Sequence, residues 1–290
     1  MSKSKSKKYV GFGDFLLRLS PPGYRRFSQA SVFETYYTGA EANVCASLAI
    51  MGERTAFVTR VPENAIAESG LGELRRFGVD VSSVVRGGER LGIYYCEKGA
   101  SQRPSKVIYD RMHSGLAEAS RGDFDWSMLL KDADYFHFTG ITPALGGELP
   151  RICEDACKAA KRAGARISCD LNYRKNLWDT KTASSVMTRL LGYVDHLVAN
   201  EEDAEKVLGI KADDSDVTGG RLSREGYVGV SALCRPVPSE CPRRPRLRIC
   251  RYGRRMHEKA VLWREGAHRL RDSLGRTRTR LVLFTRHSRT

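Results

Sequence analysis

Asp134-Tyr-Phe-His-Phe138 opens the stretch that decides the fold. It reads as a short apolar strand, with a helix from about Glu148 to Ala163 behind it. Arg166–Leu171 is a second strand followed by a helix over Ala183–Tyr193, and His196–Ala199 a third that leads into a helix over Glu201–Leu208. Strands alternating with helices at this spacing predict parallel βαβ units. The expected fold is therefore α/β, an open and mostly parallel sheet flanked by helices. In such sheets ligands collect at the carboxyl ends of the strands. Here those ends carry Thr139-Gly140, Asp170-Leu-Asn-Tyr-Arg174 and Asn200-Glu-Glu-Asp203.

Towards the N-terminus the same logic continues. Val10–Leu19 is an apolar run with a Gly-x-Gly interruption, closed by Ser20-Pro-Pro-Gly23, and reads as one strand and a turn. Phe33–Tyr37 is a further strand. From Ala40 the spacing of Val44, Leu48 and Met51 is helical, with Gly52 as a stop. Thr55–Val61 is extended, and Glu63–Phe77 is helical with Ala67, Leu71, Leu74 and Phe77 on one face. Gly92–Cys96 and Lys106–Tyr109 form a Tyr-rich hairpin suited to lying across another surface.

Towards the C-terminus the alternation stops after Val230. Residues 231–290 carry +13 of the net +15, almost all of it Arg, together with four of the ten Pro and three of the eight Cys. Only Leu281–Thr285 has the look of a strand. The Arg-rich, Lys-poor composition is that of a shifted reading frame in GC-rich DNA, or of a decayed gene segment. The expected organisation is a basic tail over 1–8, an ordered domain over 9–230 and a poorly ordered Arg-rich segment over 231–290. A sheet without its last strands is expected to leave an open edge and to fold poorly.

Composition narrows the function classes. Hydrophobic residues at 41% and charged residues at 29% describe a globular chain. No apolar run reaches the roughly 20 residues that cross a bilayer, and no apolar segment follows the basic start as a secretory signal requires. Eight Cys without regular spacing fit reduced thiols and a cytoplasmic setting. The basic segment lacks a defined face and interleaved aromatics, which disfavours nucleic acid as a partner; binding that weakens steeply with salt would reverse that reading.

Several residues could carry chemistry, each with a plainer reading beside it. Gly11-Phe-Gly13-Asp14 has no helix after it to bind phosphate, so it is either a strand bulge or a place where Asp14 holds sugar hydroxyls. Gly39-Ala-Glu-Ala-Asn43 opens a helix; its small residues admit close backbone approach and Asn43 can bond hydroxyls, although an ordinary helix start explains it equally. Tyr94, Tyr109 and Arg111 lie on the hairpin, which is either solvated or a cover over a hydroxylated acid whose carboxylate Arg111 grips. Asp170, Asn172 and Arg174 stand at alternate positions and are expected to point together into the ligand crevice. Asn200 and Asp203 open a helix, where acidic groups are favoured in any case. Cys153, Cys157 and His137 read as core residues.

Taken together, Phe12–Gly23, Tyr37–Asn43, Arg86–Tyr94, Gly99–Arg111, His137–Pro143, Asp170–Arg174 and Asn200–Asp203 resemble the ribokinase-like PfkB family, and within it the branch acting on sugar acids. The resemblance implies transfer of the ATP γ-phosphate, with Mg²⁺, to the terminal hydroxyl of 2-keto-3-deoxygluconate or a similar acid. It implies that Asp14, Gly39, Asn43, Tyr94, Tyr109, Arg111 and Arg174 hold the substrate. Asn200 and Asp203 match an Asn-x-x-Glu element that organises nucleotide and metal, with Asp203 toward the metal. The ribbons, about 33–39 and 92–111, correspond to a β-lid that also joins subunits, implying a homo-oligomer. Thr38 stands where the family has a second Gly. The family's C-terminal Gly-x-Gly-Asp element, which supplies the anion hole and the catalytic base, is absent, so no catalytic base is assigned. Activity is expected to be impaired, and a sugar-acid-binding pseudo-kinase is the alternative.

Overall fold

The computed structural model describes residues 6–209, together with the backbone of four short segments at 247–250, 260–264, 270–271 and 277–278. In chain order the elements are β1 (Lys8–Phe12), β2 (Leu16–Ser20), β3 (Glu34–Thr38), α1 (Ala40–Ile50), β4 (Arg54–Val58), β5 (Arg60–Val61), α2 (Ala65–Arg76), β6 (Val85–Arg86), β7 (Gly92–Glu97) and β8 (Lys106–Asp110). They continue with α3 (Trp126–Leu129), β9 (Tyr135–Thr139), α4 (Ile141–Ala144), α5 (Leu149–Arg162), β10 (Arg166–Asp170), α6 (Thr180–Leu191), β11 (His196–Ala199) and α7 (Glu201–Leu208). Last come β12 (Leu247–Cys250), β13 (Ala260–Arg264), β14 (Leu270–Arg271) and β15 (Thr277–Arg278), the final two paired with each other.

The main sheet has the order β12-β13-β11-β10-β9-β1-β4. From β11 to β4 every pairing is parallel. Its two faces bury different sets of side chains. In register across β1, β9 and β10, Val10, Phe136 and Ile167 face one way, onto a core with α5, α6 and Trp126. Gly11 and His137 face the other way, and a Cβ at Gly11 would strike Cys45 of α1. On that second face Phe57, Cys45, Leu71 and Leu74 form a smaller core between α1 and α2.

The helices follow from their apolar spacing and caps. α5 buries Leu149, Ile152, Cys153, Ala156 and Cys157 at 3–4 residue intervals, and Pro150 sits in its first turn. Asn64, Asp179 and Asn200 cap α2, α6 and α7 by accepting from backbone N–H groups three residues on. His137 Nδ1 meets Ser168 Oγ at 2.9 Å, so this strand histidine is satisfied within the sheet.

Three sequence expectations need correction here. Val10–Leu19 is two strands in two sheets: the chain leaves the main sheet after Phe12 and enters a four-stranded sheet of order β3-β2-β7-β8 at Leu16. Met51 and Phe77, placed on helix core faces, are 70% and 47% exposed because each follows the last helical residue of its element. Lys8, assigned to the tail, instead begins β1, and its backbone N–H donates to Asp134 at 2.8 Å.

At the C-terminal end, one expectation changes, the open edge beside β11. Leu247–Cys250 and Ala260–Arg264 are strands, and β13 pairs antiparallel with β11, so that side of β11 is covered and not an open edge. Leu281–Thr285 lies outside the described residues.

Candidate functional site

Parallel pairing puts the carboxyl ends of β1, β4, β9, β10 and β11 on one rim of the sheet. From β1 the chain crosses to β4 on one side and later to β9 on the other, so the strand order switches direction between β1 and β9. A crevice at such a point is where open α/β sheets bind ligands. Two features converge on it: the start of α1 and the end of the lid hairpin.

The start of α1 is delivered by β3. Gly39 is the N-cap, in extended conformation, and a Cβ there would collide with the carbonyl oxygen of Asp14. The requirement for Gly is thus close approach of two backbones and not a special dihedral angle. In the first turn, Glu41 is 1% exposed. Its Oε1 accepts from the Thr139 backbone N–H at 2.9 Å and from the Thr142 hydroxyl at 3.0 Å. Its Oε2 is buried without a hydrogen-bond partner among the described residues and rests against Gly13, where a Cβ would occupy the same space. Burial raises the Glu41 carboxyl to about 7, only partly opposed by the bonds from Thr139 and Thr142.

The lid supplies the second half. Arg111 directly follows β8, and its Nη1 donates to Asp14 Oδ2 at 3.3 Å in a pair that is almost fully buried. Burial pushes Asp14 up to about 6 despite the attraction of Arg111. The Arg111 guanidinium stacks 4.2 Å above the Tyr109 ring, and Tyr109 contacts Tyr94 across the hairpin with ring centroids 5.6 Å apart. Register places Tyr36, Arg18, Tyr94 and Tyr109 in one row across all four lid strands. The opposite face of that sheet puts Leu17, Tyr37 and Ile93 against the smaller core, which anchors the lid.

Thr38 and Asn43 bracket the α1 start. Asn43 Nδ2 donates to Thr38 Oγ1 at 3.0 Å, and that hydroxyl lies 3.2 Å from Asn43 Oδ1. The threonine standing in place of glycine therefore engages the amide that was expected to meet a ligand.

The third candidate group sits at the ends of β10 and β11. β10 stops at Asp170, and Asn172 has a positive φ of 41°, so the expected alternation of Asp170, Asn172 and Arg174 is broken. Asn172 is buried, with Oδ1 lacking a hydrogen-bond partner among the described residues. Arg174 Nη1 donates to the Tyr173 carbonyl at 2.8 Å. Asp203 accepts from the Tyr173 N–H at 3.1 Å, while Asn200 Oδ1 accepts from the Asp203 N–H at 2.7 Å and caps α7. Asp203 thereby ties the segment after β10 to the start of α7.

The described residues contain no group of three or more His, Cys, Asp and Glu able to hold a metal ion. Mg²⁺ commonly takes one or two protein carboxylates and completes its shell with phosphate oxygens and water. The Asp203 carboxylate, 3% exposed and already accepting backbone N–H groups, fits such an ion only through water.

The sequence-predicted residues thus fall into two clusters. Asp14, Gly39, Tyr94, Tyr109 and Arg111 meet at the β1/β9 crevice, with Asn43 beside Gly39 in the first turn of α1. Arg174, Asn200 and Asp203 gather at the β10/β11 end. Thr139 was placed on the ligand rim from the sequence, whereas Glu41 and Thr142 were given no role; the helical spacing of Glu41 with Cys45 and Leu48, which puts it on the buried face of α1, was the available signal.

Comparison with known proteins matches this architecture. The sequence pattern of the pfkB family carbohydrate kinases covers residues 7–224. A 2-dehydro-3-deoxygalactonokinase of Haloferax volcanii is 35% identical over 70% of this chain, and a 2-dehydro-3-deoxygluconokinase of Thermoproteus tenax 34% identical over 70%. The chain spans 64% and 62% of their lengths. The crystal structure of 2-dehydro-3-deoxygluconokinase from Thermotoga maritima aligns with TM-score 0.73 and 52% identity, covering 78% of this chain and 67% of that one. With its fold, its lid and three quarters of its length accounted for in this way, the chain belongs to the pfkB family of carbohydrate kinases.

Proposed function

We propose that the crevice between β1 and β9, under the lid, binds a sugar acid of the 2-keto-3-deoxygluconate type. The observation that carries this is Arg111. It is buried, it is paired through Nη1 to Asp14, and its Nε donor has no hydrogen-bond acceptor among the described residues. A buried guanidinium with an unused donor suits an anionic oxygen, and the carboxylate beside it suits a sugar hydroxyl. Tyr94 and Tyr109 wall the crevice, Gly39 and Asn43 present the α1 start, and Arg174 adds a second cation at the neighbouring strand end. The relatives named for sugar-acid kinases support the same class of ligand.

The reaction that follows is phosphorylation of the terminal hydroxyl from ATP, which with Mg²⁺ supplies the phosphoryl group. Asn200 and Asp203 would serve the nucleotide side, where the Asp203 carboxylate would hold Mg²⁺ through water. Residues 231–290 contain no Gly-x-Gly-Asp, so neither an anion hole nor a base for the hydroxyl proton can be named in this chain. Turnover is therefore weak, and a protein that binds sugar acid without turnover is the second reading, favoured by that same missing element. Exposed Tyr36, Val107, Ile108 and Met112 on and beside the lid support association of two copies through it.

Calorimetric titration with 2-keto-3-deoxygluconate, followed by an ADP-release assay, tests both readings. Binding with ADP release far below that of ordinary sugar kinases is expected. Absence of binding removes the ligand assignment, and vigorous turnover removes the claim of impairment.

A further inference from the structure

We propose that Glu41 is the positioning residue that locks the start of α1 to the end of β9 and so sets the shape of the crevice. This rests on the sugar-acid reading above for what the crevice holds. The geometry is that of a three-way junction. Oε1 joins the Thr139 backbone and the Thr142 side chain, and Oε2 packs on Gly13, the residue before Asp14. Gly39, two residues before Glu41, abuts the Asp14 carbonyl. Moving Glu41 therefore moves Gly39 and Asn43 on α1 relative to Asp14 and Arg111.

An ionised Glu41 would place a charge in this junction with one oxygen unsatisfied. No described Lys or Arg forms an ion pair with it, and carboxylates buried in that state take up a proton. The titratable groups packed around it do not replace that charge balance. Cys45 on α1 is pushed up to about 12 by burial, and burial likewise raises Cys153 on α5 and Cys169 on β10 well above the ordinary thiol value, so all three stay thiols near neutral pH. On β9, His137 is bonded to Ser168. After β1, Asp14 pairs with Arg111 and burial raises it to about 6, so its own titration runs below that of Glu41 and is shared by wild type and variant. Loss of the Glu41 proton is thus the event near neutral pH that the junction cannot absorb.

Glu41→Gln in the full chain tests this, because the amide keeps the Oε1 acceptor and cannot ionise. The melting temperature of the variant minus that of the wild type is expected to climb as pH rises from about 4.5 to about 7 and then to level. 2-Keto-3-deoxygluconate affinity, measured by calorimetry at pH 6 and pH 8, is expected to fall up to about tenfold more in the wild type than in the variant, the loss set by the fraction of protonated Glu41. Parallel profiles for the two proteins would overturn the proposal. Should Glu41→Gln not fold, infrared spectroscopy of Asp14→Asn, which lacks the other raised carboxyl, decides: a carboxylic-acid C=O band that fades between pH 6 and pH 8.5 supports the lock, and its absence at pH 6 overturns it. A pH-dependent stability gap with no sugar-acid binding at pH 6 upholds the lock and removes the ligand assignment alone.

Discussion

Arg111 and Asp14, separated by 97 positions in the chain, form one buried ion pair that ties the lid hairpin to the end of β1. The lid hairpin and the main sheet contribute one member each, so the pair exists only when both have folded together. Removing one partner from such a pair strands a buried charge, which costs about 3–5 kcal/mol. Arg111→Ala is expected to destabilise the chain on that scale and to abolish sugar-acid binding, as followed by denaturant unfolding and calorimetry. Retained affinity in a folded Arg111→Ala protein would show that the carboxylate is held elsewhere.

The same pair has a pH signature. Asp14 is raised from an ordinary 3.8 to about 6, so the folded state keeps its proton at pH values where the unfolded chain has lost it. The corresponding stability is complete below about pH 4 and is lost as pH climbs through about 6. Relative to the wild type, Asp14→Asn should gain stability across that window and hold a constant offset above it. A gap that shrinks with rising pH would contradict the burial-dominated shift.

At Gly39 the constraint is purely steric, because its backbone is extended and accessible to any residue. A methyl group would meet the Asp14 carbonyl oxygen, a backbone atom that cannot rotate away. Gly39→Ala should therefore lower the melting temperature and weaken sugar-acid affinity by at least about tenfold. Gly72→Ala, in open space on α2, serves as the control and should raise helix stability by up to about 1 kcal/mol.

Asp203 predicts a split result. Loss of its carboxylate removes an acceptor from Tyr173 and the side-chain half of the α7 capping box. Asp203→Ala should cost about 1–2 kcal/mol, in the range of a lost cap plus a stranded N–H. If the residue also contacts Mg²⁺ through water, nucleotide binding by Asp203→Asn will lose its response to Mg²⁺ while the melting temperature stays close to that of the wild type. An unaltered Mg²⁺ response assigns Asp203 to structure alone.

Thiol reactivity provides an independent check on the core. Cys45, Cys153, Cys157 and Cys169 are buried, whereas Cys96 on β7 is partly exposed. Alkylation of the native protein, resolved by peptide mass spectrometry, should modify Cys96 well before those four. Early labelling of Cys153 or Cys157 would mean that α5 does not pack as described.

The parts of the fold legible in sequence were those governed by local period and local caps. β11 and α7 fall where His196–Ala199 and Glu201–Leu208 were expected, because Asn200 both ends the strand and caps the helix. Val10–Leu19 was misread because continuous apolarity does not record that the chain changes sheets at Gly13. Asp170–Arg174 was misread because a single left-handed residue, Asn172, cancels the alternation of a strand. Glu41 escaped notice because an acid in the first turn of a helix is ordinarily a solvated partner of the helix dipole.

The amino-acid order alone determined the alternating strands and helices, the βαβ class and the identity of most polar residues on the ligand rim, since each depends on spacing along a few turns of chain. Tertiary structure alone decided that Asp14 meets Arg111, that Glu41 of α1 is buried against the end of β9, and that β13 covers β11. Those are contacts between segments far apart in the chain, and their charge states depend on burial, a quantity that no local pattern contains.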